Sequence, residues 1–215
     1  MTQYSLTEFE LNLFWKADIL SSVTTFATSG TRTVALIGVF TALYIVAAGV
    51  AGATISPFLH GYPEHLIRGF LMTGLVVRTR RMWSATMMGL ASGLVFVLAV
   101  PSPVPYLLAS TFVSGIVFDL ALLIGGNYSA NASSVTKVLI GAAVSGVGES
   151  ITALAFLTSF GVFTTYASPI EIIWGTDITV NIILSLVGAF LAFRFLSRRV
   201  PASMQTIQGQ QQHQN

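Results

Sequence analysis

The chain has 215 residues, 53% of them hydrophobic and only 8% charged, with a mean hydropathy of +0.77. Soluble domains carry about a quarter charged residues, so ten Lys/Arg and eight Asp/Glu are too few to solvate a globular surface and the composition is that of an integral membrane protein. The lack of cysteine excludes disulfides, thiolate catalysis, Cys-type zinc sites and iron–sulfur clusters, and a formal charge of +2 is too small for nucleic-acid binding.

In lipid, this length accommodates about six spans of roughly 20 residues with short loops, and no separate catalytic or ATP-binding domain. The first segment, residues 1–31, interleaves Leu6, Phe9, Leu13, Phe14, Trp15, Ile19, Leu20 and Val23 with Glu8, Glu10, Lys16 and Asp18. Four charges forbid a span there and predict an amphipathic helix lying at the membrane surface. An interrupted apolar run without a basic lead argues against a secretory signal peptide. Residues 32–199 form the membrane domain, an all-α bundle with predicted spans at 33–55, 61–77, 82–100, 106–125, 135–163 and 172–196. The remainder, 200–215, ends QGQQQHQN and is expected to be disordered.

The cations test this segmentation. Lys16 and Arg32 precede the first span, Arg78, Arg80 and Arg81 separate the second from the third, Lys137 opens the fifth, and Arg194, Arg198 and Arg199 close the sixth. Six spans put all nine on one side, and the positive-inside rule then places both termini in the cytoplasm of a multi-pass plasma-membrane protein. The loops at 56–60, 101–105 and about 164–171 fall outside. Asn127 and Asn131, each two residues before a serine, lie on the cytoplasmic side and are expected to form an ordinary polar turn.

An ionisable group in hydrocarbon costs several kcal/mol and needs a partner, a cavity or a function. Glu149 sits mid-span in the run Gly141, Ser145, Glu149, Ala153, whose four-residue spacing puts small and polar residues on one face. It either binds a ligand or ion, or hydrogen-bonds another helix. The sixth span carries a similar stripe, Trp174, Asp177, Asn181, Ser185 and Gly188. An aromatic ring followed by a carboxylate and an amide suits a small polar ligand with a ring; alone, Trp174 would be an interfacial anchor. At the start of the second span, Glu64 and Arg68 stand at i and i+4, the spacing of a local ion pair. His60, Glu64 and His65 lack the H-x-x-E-H spacing of a zinc site, and no metal or cofactor is expected. Asp119 serves either a proton relay or a hydrogen bond across the bundle. No nucleophile elbow and no Walker sequence occurs, so no enzymatic activity is expected.

Small residues cluster on the first span at Gly38, Ala42 and Ala47, and on the third at Gly89 and Gly93. Such faces allow close approach, either within the bundle or against another membrane protein.

Six spans, internal termini, Ala/Gly-rich first and third spans and a polar, aromatic outer half together resemble the S components of energy-coupling factor importers over residues 33–199. The resemblance implies capture of a water-soluble vitamin or precursor from outside, uptake with a transmembrane coupling subunit and two ATPases, and no chemistry of the chain's own. It assigns substrate binding to Glu149, Trp174, Asp177 and Asn181, with Glu64 and His65 beside them and 56–60 as part of a cover. Docking on the coupling subunit falls to Gly38, Ala42 and Ala47, with Gly89 and Gly93. The run VVRTRRMWSATMMGLASGLVFVLAVPSPVPYLLASTFVSGIVFDL, 76–120, is most similar to the thiamine and hydroxymethylpyrimidine branch, although the third span here lacks that branch's acidic residues. The nickel/cobalt branch begins Met-His, whereas this chain begins Met1-Thr2. The competing expectations are a stand-alone proton-coupled permease using Glu149 and Asp119, and a structural membrane protein.

Overall fold

The structure, a computed structural model, describes residues 30–51, 62–99, 106–165 and 169–197. The predicted surface helix before residue 30, the loops at 56–60 and 101–105 and the polar tail lie outside the described residues. The chain divides into residues 1–36 and a second unit from Ile37 on, and the packing below concerns the second unit.

Among the described residues every regular element is helical. The long helices are α1 (Gly30–Ala51), α2 (Tyr62–Thr79), α3 (Ser84–Ala99), α4 (Tyr106–Leu123), α5 (Val135–Ser159) and α6 (Ile170–Ser197). Four of them, α1, α4, α5 and α6, are long and apolar enough to cross a membrane, which marks the chain as a membrane protein. The other two fall short of the predicted spans for separate reasons. α2 has 18 residues but carries Glu64, Arg68 and Arg78, and α3 has only 16 residues.

Successive helices run in alternating directions, and the contacts give the reason. α2 packs chiefly on α6, α4 on both α3 and α5, and α5 on α6, while α2 and α3 barely touch beyond their shared turn. Tyr44 of α1 bridges that seam: its ring meets Phe96 of α3 edge-on at 5.5 Å and its hydroxyl donates to Glu64 Oε1 of α2 at 2.8 Å. Glycine makes two of the crossings possible. A Cβ at Gly69 would strike the backbone of Ser185, and one at Gly188 would strike Leu66 and Phe70, so α2 and α6 touch backbone to backbone. Gly89 and Gly93 serve α3 in the same way, against Thr111 and Leu108 of α4. These two glycines are therefore occupied within the chain, whereas Gly38 and Ala42 are exposed and Ala47 half-buried.

Helix ends follow local chemistry. α4 stops before Gly125 and Gly126, both at φ 97°, and Asn131 Nδ2 caps its last turn by donating to Leu122 O at 2.8 Å and Ile124 O at 3.1 Å. Asn127 accepts from the Ala130 N–H at 3.1 Å, opening the helical turn Tyr128–Asn131. The polar turn expected around these asparagines is thus a pair of caps.

Candidate functional site

α2 and α6 run parallel and α5 antiparallel to both, so the starts of α2 and α6 meet the end of α5. At this end, α5 brings Glu149 and Ser150, α6 brings Asp177, Asn181 and Ser185, and α2 brings His65 and Arg68. The helical stripes read from the sequence explain Glu149, Asp177, Asn181 and Ser185. Gly69 and Gly188 let α2 approach, and Gly146, whose Cβ would lie 3.1 Å from Asn181 Oδ1, lets α5 approach.

The side chains form one connected network. Arg68 Nη1 pairs with Glu149 Oε2, and its Nη2 donates to Asn181 Oδ1 at 2.9 Å and more weakly to Ser185 Oγ at 3.4 Å. Asn181 Nδ2 donates to Glu149 Oε2 at 3.1 Å and to Ser150 Oγ at 2.9 Å. Ser150 Oγ donates onward to Asp177 Oδ2 at 2.8 Å, and Ser185 Oγ to Asn181 Oδ1 at 3.0 Å. His65 Nδ1 stands 3.4 Å from Glu149 Oε2. Exposure decides the energetics here: Arg68 is 2% accessible, Asn181 0% and Glu149 5%. An unpaired charge at such a position is very costly, and an ion pair is tolerated only with its remaining donors and acceptors met. Asn181 meets one of each as the hub, accepting from the cation and donating to the anion.

The arrangement departs from the sequence expectation at one pair. Glu64 does not hold Arg68; its carboxylate takes the Tyr44 hydroxyl, while Arg68 turns inward to Glu149. A local i,i+4 pair on an exposed helix is worth only a few tenths of a kcal/mol, too little to keep a guanidinium from a buried carboxylate. Of the predicted binding residues, Glu149, Asp177, Asn181 and His65 come together. Trp174 stands one turn outward from Asp177 and donates from Nε1 to Thr158 Oγ1 at 3.3 Å. Glu64 lies beside the network on the α1 side. Arg68, Ser150 and Tyr44 were not anticipated as members; Ser150 was legible as the neighbour of Glu149 on a buried helix face, Tyr44 was not.

A second polar cluster lies at the opposite end, where α3 starts and α4 finishes. Asp119 Oδ2 accepts from both the N–H and the hydroxyl of Thr86, each at 2.8 Å, and Oδ1 accepts from the Tyr128 hydroxyl. Asp119 therefore caps the first turn of a helix other than its own. The Tyr128 phenol, in the link between α4 and α5, is pushed above its ordinary range by burial first, then by the charge of Asp119 and by the hydrogen bond to it.

No protein-family model, curated protein or solved structure matches the chain.

Proposed function

We propose that the chain is a six-span substrate-capture subunit of the energy-coupling factor type, residing in the plasma membrane with both termini in the cytoplasm. The observation that carries this reading is the buried network of Arg68, Glu149, Ser150, Asp177 and Asn181. It lies towards the end of the helices opposite Arg78, Arg80, Arg81, Lys137 and Arg194. By the positive-inside rule the cation-rich end is cytoplasmic, so the network lies in the outer half of the bundle, where a solute arriving from outside is met. Its donors and acceptors suit a small polar molecule such as a water-soluble vitamin or precursor, with Trp174 at the entrance and His65 and Glu64 alongside.

Uptake then depends on a coupling subunit and two ATPases, and the exposed small residues Gly38 and Ala42 with Ala47 are the docking face. Gly89 and Gly93, already packed on α4, take no part in it. The rival permease reading needs Asp119 as a proton carrier, but that carboxylate is committed to Thr86 and Tyr128.

The test is native mass spectrometry of the protein purified in mild detergent from cells co-expressing candidate coupling and ATPase subunits. A retained small molecule that disappears in Asn181→Leu, and a four-chain assembly that dissociates in Gly38→Leu, are the expected results. Uptake by the isolated chain driven by a pH gradient would sink the proposal in favour of the permease.

A further inference from the structure

Between α2 and α3 the chain turns in four residues without a glycine, and two of them, Arg80 at φ 50° and Trp83 at φ 70°, adopt the left-handed region that bulky side chains avoid. Each such residue costs of order 1–3 kcal/mol unless its surroundings over-determine it, and strain of this kind concentrates at functional sites.

The surroundings do so here. Arg80 N–H closes the end of α2 on Val76 O at 2.8 Å, Thr79 Oγ1 donates to Ser84 Oγ at 3.0 Å, and Ser84 Oγ donates to Arg81 O at 2.8 Å. Just beyond, Asp119 grips Thr86. The turn is thus held from both flanks before any partner arrives.

What it holds outward is cationic and aromatic. Arg78 and Arg80 are exposed, and among the described residues neither has an ion-pair partner. Asp119, a carboxylate near the turn, is buried and spent on Thr86 and Tyr128. Trp83 is 44% exposed at the point where polar chain gives way to the apolar α3, and Met87, one turn further, is exposed too.

We infer that this turn is a binding site for the phosphodiester headgroup of an anionic phospholipid. Guanidinium groups pair with phosphate oxygens through two parallel N–H donors. An indole at the interface lies level with the glycerol region and packs on the first acyl carbons. A rigid turn presents both without an ordering cost at the moment of binding. A soluble phosphate would use the guanidinium groups but leave Trp83 and Met87 idle, and an acidic protein segment would not require an aromatic ring at the lipid boundary. The inference rests on the membrane character of the chain and is independent of the solute it carries.

Native mass spectrometry with graded phosphatidylglycerol and phosphatidylcholine tests it. Wild-type protein is expected to retain phosphatidylglycerol in preference to phosphatidylcholine. Arg78→Gln with Arg80→Gln should lower that preference by about 10- to 30-fold, from roughly 1 kcal/mol per basic residue near an anionic surface. Lys137→Gln with Arg194→Gln, which removes the same charge from the same end, should leave it nearly intact. Equal loss in both pairs would mean diffuse attraction only and overturn the site, as would no loss in either. Binding of the deacylated headgroup glycerophosphoglycerol as strongly as the lipid would reassign the turn to a soluble anion. A measurement on the unaltered turn is independent of how the variants fold. In a Trp15→Phe, Trp174→Phe background, phosphatidylglycerol brominated near the headgroup should quench Trp83 fluorescence more than its phosphatidylcholine counterpart, and equal quenching would overturn the inference.

Discussion

Asn181 connects more charged and polar groups than any other side chain described, and its removal is informative because both ions it serves are buried. Asn181→Leu leaves Arg68 Nη2 and Glu149 Oε2 each short of a partner, a loss expected to cost about 2–4 kcal/mol, measurable as a fall in melting temperature in detergent. The ion pair itself should behave non-additively. Arg68→Met or Glu149→Leu alone strands a buried charge, at about 3–5 kcal/mol, whereas the two together should cost much less than their sum; additive losses would mean that the groups do not pair. Tyr128 gives a pH signature. Its folded-state phenol ionises above the 10.0 of a free tyrosine, so the folded state holds a proton that the unfolded state releases. Its stability contribution is therefore complete below about pH 10 and declines as the pH rises further. Melting curves of Tyr128→Phe across this range should show a shallower alkaline decline than wild type. Glu149, Asp177 and Asn181 were legible because the cost of a polar group in lipid is a property of the local sequence. The partner of Arg68 was not, because Glu64 stands at the right sequence distance and only the packing of α6 on α2 at Gly69 and Gly188, and of α5 on α6 at Gly146, brings Glu149 nearer.

At the scale of helices, glycine separates two kinds of surface that look alike in the sequence. Gly188 meets backbone atoms of α2, while Gly38 has open space around it. Gly188→Leu is therefore expected to destabilise the isolated protein by about 1–3 kcal/mol or prevent its folding, whereas Gly38→Leu should leave its melting temperature unchanged and affect only association with a partner. The third-span glycines were read as candidates for the same docking face, and spacing alone could not separate them from Gly38, since a small-residue stripe carries no mark of what lies opposite. The α2–α3 turn makes a separate prediction. Glycine tolerates φ 50° without a steric cost, so Arg80→Gly should raise stability by about 1 kcal/mol in lipid-free detergent while weakening retention of phosphatidylglycerol. The helix positions were legible to within a few residues because long apolar runs punctuated by Gly, Pro and Arg survive any packing.

For the molecule as a whole, alternation of helix direction places Arg78, Arg80, Arg81, Lys137 and Arg194 at one end and the Glu149 network towards the other. Because the chain contains no cysteine, single substitutions such as Arg80→Cys and Lys137→Cys are unique labelling sites. Both should react with an impermeant maleimide only in inverted vesicles, and reaction from opposite sides would break the assignment of six spans. Cation placement could suggest this segmentation because seven of the ten cations lie outside the predicted spans and Lys137 and Arg194 lie close to the ends of theirs. The exception, Arg68, is the one that the fold buries.

The grip of Asp119 on Thr86 also bears on how the chain is built. The first turn of α3 is completed by a carboxylate 33 positions later in the chain, so α3 emerges from synthesis with backbone donors that nothing yet satisfies. In water this would be a minor matter; in hydrocarbon each such donor costs several kcal/mol. If α3 is a span, as the proposed function has it, it is expected to commit to the membrane together with α4 as a hairpin rather than one helix at a time. A nascent chain arrested before residue 106 should leave α3 accessible to protease, and one arrested with α4 fully emerged should protect it. Asp119→Ala should delay that protection without changing either helix's own hydrophobicity.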